Sequence, residues 1–396
     1  MLEREPQVEA IIGVDTIDPR HELQRTEFVR VDTEESLLRR ILNAAAIDTV
    51  VDTRLIEDPL SSSLAGAHEV NVIGTRNVLI ACSGSDSPVR KIVFKSSAHV
   101  YGCEADDPAF FTEEMTRSRP PHTALERDVI QAERALDDFA AANPRATVTT
   151  LRFADVLGSS ASGSHMALLG LPVVPVVLGF DPRFQFIHED DVIGVLAHAV
   201  REDLPGAYNA AGDGVLALSE IVGLLGKPLL PVLPPWGTVF AAAQLRRLGL
   251  RVPVEVLRQL RHGRGLDNRR LKASGYMYGY TTREAVLKLR AQQRLRPLLR
   301  SGNETYRYER EVEEFLRWSP TVRSAQPDDG ADEDARARGA DLNSYESLTE
   351  GQLIDLISSL EHDALVRLRR FESQGRSRRR VLEAIDSAIG RASQRR

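Results

Sequence analysis

Between Val8 and Arg152 short runs of β-branched and aliphatic residues alternate with longer stretches in which apolar positions return every three or four residues. The runs Val8–Val14, Phe28–Val31, Thr49–Asp52, Lys91–Lys95 and Thr147–Leu151 predict strands, and the stretches Glu34–Asn43, Pro59–Ala81 and His122–Ala142 predict the helices between them. Helices of that length suit right-handed crossovers between parallel strands, so residues 1–152 are expected to form a doubly wound α/β domain. After Arg152 the alternation stops. Shorter elements follow to about Arg300, with apolar helices predicted around Ser219–Leu225 and Val239–Leu248. Residues 153–318 are therefore read as a smaller lobe, parts of which return to the first domain. Pro320, Pro327 and the acidic run Asp328–Asp334 mark 319–343 as a disordered linker. Apolar residues resume a helical spacing from Leu348 to Phe371 and again at Val381, Leu382, Ile385 and Ile389, predicting a helical module over 344–396.

Composition narrows the classes. The 396 residues are 42% hydrophobic and 27% charged, which supports a core of ordinary size and excludes a fibrous or wholly disordered chain. The longest apolar run, Met166 to Phe180, is too short for a transmembrane segment and carries Pro172 and Pro175. Two cysteines, Cys82 and Cys103, cannot build a disulfide framework or a four-ligand zinc site, and no metal centre is expected. They fit a reducing compartment, so the expected location is cytoplasmic. A net charge of −6 argues against nucleic acid as partner of the whole chain, and 46 arginines against 5 lysines fit a GC-rich genome better than a phosphate-binding surface.

Candidate chemistry begins at strand ends. Asp15 follows the first predicted strand and Asp32 the second, where a carboxylate can accept hydrogen bonds from vicinal ribose hydroxyls, or simply form a turn. Later segments give these positions a context: Asn71-Val-Ile-Gly74-Thr-Arg-Asn77, Lys95-Ser-Ser97-Ala-His-Val-Tyr101-Gly102, Leu151-Arg-Phe153-Ala-Asp155-Val-Leu-Gly158, Phe184-Gln-Phe-Ile-His188-Glu-Asp-Asp191-Val and Tyr208-Asn209-Ala-Ala-Gly212. In this order the series resembles the extended short-chain dehydrogenase/reductase family, and within it the NAD-dependent, UDP-galactose 4-epimerase-like nucleotide-sugar epimerases and dehydratases. The resemblance covers Val8 to Leu289.

The resemblance implies a Rossmann domain for NAD or NADP, a C-terminal lobe for a nucleoside-diphosphate sugar, and chemistry at their junction. It would place Asp15 on the adenosine ribose, Asp32 and Thr33 along the adenine, and Thr53, Arg54 and Leu55 beside the cofactor phosphates and nicotinamide ribose. Ser97 would hold the reacting sugar hydroxyl. Phe153 and Ala154 would contact nicotinamide, and Asp155, which replaces the family's usual asparagine, would contact substrate. A second copy of the chain stands among the expected partners.

Two departures bear on activity. The family's proton chemistry uses a tyrosine and a lysine four residues apart on one helix face, where the ammonium makes the phenol a usable base. Aligning Glu133 with the family's glutamate sets Leu125 at the tyrosine and Val129 at the lysine, and neither side chain can move a proton. None of the eight tyrosines is followed four residues on by lysine. Tyr101 has Ala105 there and reads as part of a structural turn. The second departure is the missing glycine-rich turn that binds pyrophosphate at a helix N-terminus: Gly13 is the only glycine before residue 65. Leu2-Glu-Arg-Glu-Pro reads as the end of the first helix, so the chain is expected to begin inside its first βαβ unit, short of about two dozen residues.

Two other clusters compete for attention. His188-Glu189-Asp190-Asp191 has metal-ligand residue types, but at a strand-to-helix junction it is expected to cap the helix. From Leu365 to Arg396 ten arginines face three acids among amphipathically spaced apolar residues, which suits an acidic protein or another anionic surface. Two readings result: a family member that binds a dinucleotide and a nucleotide-sugar-type ligand with standard catalysis impaired or lost, and a non-catalytic Rossmann sensor or scaffold acting through its basic helical tail.

Overall fold

In a computed structural model of the protein the described residues are 1–19, 23–32, 34–58, 62–159, 161, 163–232 and 259–295, with 369, 378, 380–382 and 384–386 in the tail. The predicted helix Val239–Leu248 and the linker 319–343 lie outside them. Two compact units divide at residue 300.

The first unit opens with a 3-10 turn, Leu2–Arg4, rather than the end of an α-helix. Glu3 explains its position, because its Oε1 accepts the backbone N–H groups of Gln24, Arg25 and Thr26 and the Thr26 hydroxyl. Then come β1 (Ile11–Asp15), β2 (Thr26–Arg30), α1 (Glu35–Ala44) and β3 (Thr49–Asp52). α2 (Leu64–His68) runs through a wide π-helical stretch, Glu69–Gly74, into α3 (Thr75–Cys82). It starts five residues later than the pattern predicts, where the Ser63 hydroxyl accepts the Gly66 N–H and so satisfies an open donor of the first turn. β4 (Lys91–Ser97), α4 (Ala124–Ala142) and β5 (Thr147–Phe153) complete the crossovers.

β3, β4 and β5 are parallel neighbours, and a later strand joins them, giving one four-stranded sheet. β1 and β2 form a separate parallel pair. Alternation along β4 shows why both faces are covered: Ile92 and Phe94 enter a core with Val129, Leu136 and Leu79, while Val93 enters the opposite core with Leu151, Val195 and Ala199. This is a doubly wound, Rossmann-like α/β arrangement.

Beyond β5 lie β6 (Asp155–Leu157), α5 (Ser164–Gly170), β7 (Val174–Val177), β8 (Arg183–Phe184), β9 (Phe186–His188) and α6 (Glu189–Arg201). β10 (Gly206–Ala210) returns to the first sheet beside β5. β11 (Leu216–Ala217), α7 (Leu218–Leu225), β12 (Leu229–Val232), β13 (Gly263–Arg264), α8 (Arg269–Ala273) and α9 (Thr282–Leu295) follow. A third core, built from α5, α7, α9 and the short strands between, holds this lobe. The His188 side chain accepts the Asp190 N–H, so the His-Glu-Asp-Asp cluster caps α6. Asp191 ties the loop before α9 to that cap, accepting the N–H groups of Gly279 and Tyr280 and the Tyr276 hydroxyl.

In the second unit residues 380–382 and 384–386 are helical, Val381 and Ile385 are fully buried, and Arg369 pairs with Asp386 at 2.5 Å. Among the described residues no helix is long and apolar enough to cross a membrane.

Candidate functional site

The parallel strands β3, β4 and β5 end on one rim, and three consecutive residues after β3 build its floor. Ile56 is clamped through its backbone: its N–H donates to Asn71 Oδ1 and its carbonyl accepts from Asn71 Nδ2, both at 2.7 Å. Glu57 turns to β4 and meets Lys95 Nζ at 3.1 Å. Asp58 reaches across to α5 and accepts the backbone N–H and, at 2.9 Å, the hydroxyl of Ser164, capping the helix that carries His165. Asn71 is wholly buried in the π-helical stretch, so the family motif that contains it acts here as a brace.

Ser97 ends β4 in register with Phe153 of β5. It is only 2% exposed; its oxygen accepts the His99 N–H at 3.3 Å and its hydroxyl is hydrogen-bonded to the Glu57 carboxylate. Burial works to raise the Glu57 carboxyl, but Lys95, His99 and the Ser97 hydroxyl together hold it below the usual carboxylate range. Phe153 is buried, with Lys95 Nζ 5.8 Å from its ring centre, and Ala154 donates its N–H to Ala210. Asp155 pairs with His165 Nδ1 at 3.1 Å. Burial disfavours both charges, yet each partner keeps the other ionised, with the Asp155 carboxyl well below its ordinary value and the His165 imidazole above its own.

The remaining candidates divide. Asp15 is exposed at the end of β1 and accepts the N–H groups of Thr16 and Ile17, a turn-forming role. Asp32 is exposed after β2, and Thr33 lies outside the described residues. Thr53 is exposed after β3. Arg54 grips the buried Asp52 carboxylate through Nε at 2.9 Å and Nη2 at 2.5 Å, leaving Nη1 buried with no acceptor among the described residues. The Leu55 side chain belongs to the core with Val129, so only its backbone faces the rim loop. The rim thus gathers Arg54, Ser97, Phe153, Ala154 and Asp155, whereas Asp15 and Asp32 stand on the separate β1–β2 pair.

Leu125 and Val129 lie on the inward face of α4, 2% and 0% exposed. Thr123 starts that helix by accepting the Glu126 N–H, and Glu126 reaches back to the His122 N–H at 2.9 Å while pairing with Arg117. Tyr101 is structural. Its hydroxyl donates to Asn209 Oδ1 and accepts from Arg152 Nη1, both at 2.8 Å, and its ring stacks on Phe111.

Sequence reasoning missed Glu57, His165 and Arg264 as rim residues, and weighed His99 only with Ser96 and Ser97 for a nucleophilic hydrolysis that lacks its Gly-x-Ser-x-Gly turn. Lys95 and His99 stood inside a quoted motif, but their charge environment comes from β3, β6 and α5. Nothing local marked His165.

Crossover helices on both sheet faces, with polar side chains gathered at the strands' carboxyl ends, define the protein as a doubly wound α/β protein with a rim site. The family described as NAD dependent epimerase/dehydratase family matches residues 2–211. A protein of Mycobacterium tuberculosis, named uncharacterized, is 32% identical over 292 residues, which span 72% of this chain and 77% of that one. The chain belongs to the NAD-dependent epimerase/dehydratase family. Among solved structures, UDP-glucose 4-epimerase from Thermotoga maritima with UDP-glucose matches with a TM-score of 0.56 at 16% identity, covering 73% of this chain and 92% of that one. UDP-glucuronic acid 4-epimerase from Bacillus cereus in complex with NAD matches at 0.54 and 14% identity, covering 72% and 88%. At these identities the likeness is one of fold.

Proposed function

We propose that the protein binds a nicotinamide dinucleotide, NAD or NADP, and a nucleoside-diphosphate-sugar-type ligand at the rim, with the family's standard catalysis impaired or lost. The observation that carries this reading is the pair Leu125 and Val129, packed into the core at the positions assigned to the tyrosine and lysine. Family membership supports the ligand class, as do the fold neighbours with NAD and with UDP-glucose.

The residues present fit a dinucleotide in one telling respect. Arg54 Nη1 is a buried donor lacking an acceptor among the described residues, and such a group costs free energy unless something like a phosphate or ribose oxygen satisfies it. Arg54, Thr53 and the Leu55 backbone would line the phosphates and nicotinamide ribose. Asp15 and Asp32 would meet the adenosine end with Thr33, and Phe153 and Ala154 would pack against the nicotinamide. A bound nicotinamide would supply a hydride acceptor. Ser97 and Asp155 would hold sugar hydroxyls, but a serine does not abstract a proton by itself, and the Glu57 carboxyl beside it is held below the usual carboxylate range by Lys95, His99 and Ser97.

Calorimetric titration of the full chain with NAD, NADP and UDP-glucose tests this. Saturable binding of UDP-glucose and of one dinucleotide is expected, with Arg54→Ala weakening the dinucleotide about tenfold to a hundredfold, the worth of a charged hydrogen bond. Absence of dinucleotide binding would refute the reading.

A further inference from the structure

One imidazole at the rim is used by none of the roles above. His99 sits in the turn Ala98–Tyr101 that follows β4, part-exposed, and no described residue hydrogen-bonds either of its ring nitrogens. Charged groups act on it from five elements: Glu57 after β3, Glu126 in α4, Asp155 in β6, His165 in α5 and Arg264 in β13. Among the described residues, the carboxylates that act on it are already engaged. Glu57 is paired with Lys95, Asp155 with His165, and Glu126 with Arg117. Burial and Arg264 favour the neutral ring against the pull of Asp155 and Glu57, so His99 rests as an imidazole with an open acceptor nitrogen, while two carboxylates stand ready to stabilise the imidazolium.

The geometry points to His99 as the proton-transfer residue of this rim, exchanging a proton with a hydroxyl of the bound sugar-type ligand in the role that Leu125 cannot fill. The inference rests on the ligand reading above. In the forward direction the ligand's O–H bond breaks and its proton goes to the free His99 nitrogen. The adjacent C–H pair leaves as hydride to the oxidised nicotinamide dinucleotide, and a carbonyl forms. The products are a ketone, a reduced dinucleotide and an imidazolium, and the reverse step returns the proton from His99. Ser97 holds a ligand hydroxyl without itself taking the proton.

The test joins histidine NMR of the full chain, using His99→Gln for assignment, with nicotinamide absorbance after mixing with NAD and UDP-glucose. The His99 signal is expected to titrate below the ordinary histidine range and to shift its midpoint when UDP-glucose is added. Slow reduced-nicotinamide formation should rise with pH through that midpoint. His99→Gln should keep both ligands bound yet cut formation at least about a hundredfold and abolish the pH step. A His99 midpoint indifferent to UDP-glucose, or a variant as fast as the wild type, would overturn the assignment. So would bound ligands with no reduction at all, which would leave the binding reading intact, whereas failure of the wild type to bind UDP-glucose would sink both.

Discussion

Asp155 and His165 show how much of a site can rest on one pair of side chains. A carboxyl held below its ordinary value stabilises the fold above that value and loses this as pH falls; an imidazole held above its own stabilises below it and loses this as pH rises. Their joint contribution is therefore largest between the two ordinary values, about pH 4 to about pH 6.5. Asp155→Asn leaves His165 without its counter-charge and should cost about 3–5 kcal/mol at pH 6, with a smaller loss once His165 is neutral in the wild type. Denaturant unfolding at the two pH values measures it, and an equal loss at both would refute the pairing. Burial also sets the cysteines, pushing the Cys82 and Cys103 thiols up to about 12. Both should resist a disulfide reagent until the chain unfolds; fast labelling of the native protein would contradict this. Asp155 was legible in the sequence because it stood in a motif, whereas its partner lies on another element and had no local signal.

At the scale of elements, periodicity found the strands and crossover helices because each face of the sheet imposes its own spacing. Ends were less legible. β4 continues two residues beyond Lys95, since Ser96 is held by Glu133 and Ser97 by the rim. The π-helical stretch had no signature, for six residues are too few to separate its period from that of an α-helix. Its consequence is mechanical: Asn71 fixes Ile56, and the following two residues then reach β4 and α5. Asn71→Ala leaves the Ile56 backbone groups unpaired and should cost about 1–3 kcal/mol. It should also weaken UDP-glucose binding, because Glu57 and Asp58 lose their register. Calorimetry of the variant checks both, and unchanged affinity would show that the loop holds itself.

At the scale of the whole molecule, the doubly wound class could be read from the order of strands and motifs. The division of that sheet into a pair and a four-stranded part, and the gathering of His99, His165 and Arg264, depend on packing among distant segments and left no trace in local pattern. The basic tail belongs to the second unit. If its arginines meet an anionic partner, removing residues 344–396 should abolish a salt-sensitive association with anionic vesicles or acidic protein, seen by cosedimentation at low and moderate salt. Equal binding with and without the tail would assign it no such role.

The central claim is that ligand binding survives without the family's tyrosine and lysine, and one sample can test it: the full chain saturated with NAD and UDP-glucose, with conversion to the 4-epimer followed over time. Binding with turnover depressed by about 10²–10⁴ relative to a family enzyme that carries the dyad is the expected result, since that is the usual worth of general acid–base catalysis. Rapid epimerisation that persists in Ser97→Ala would contradict the account, because Leu125 and Val129 would then not mark the place where the proton moves.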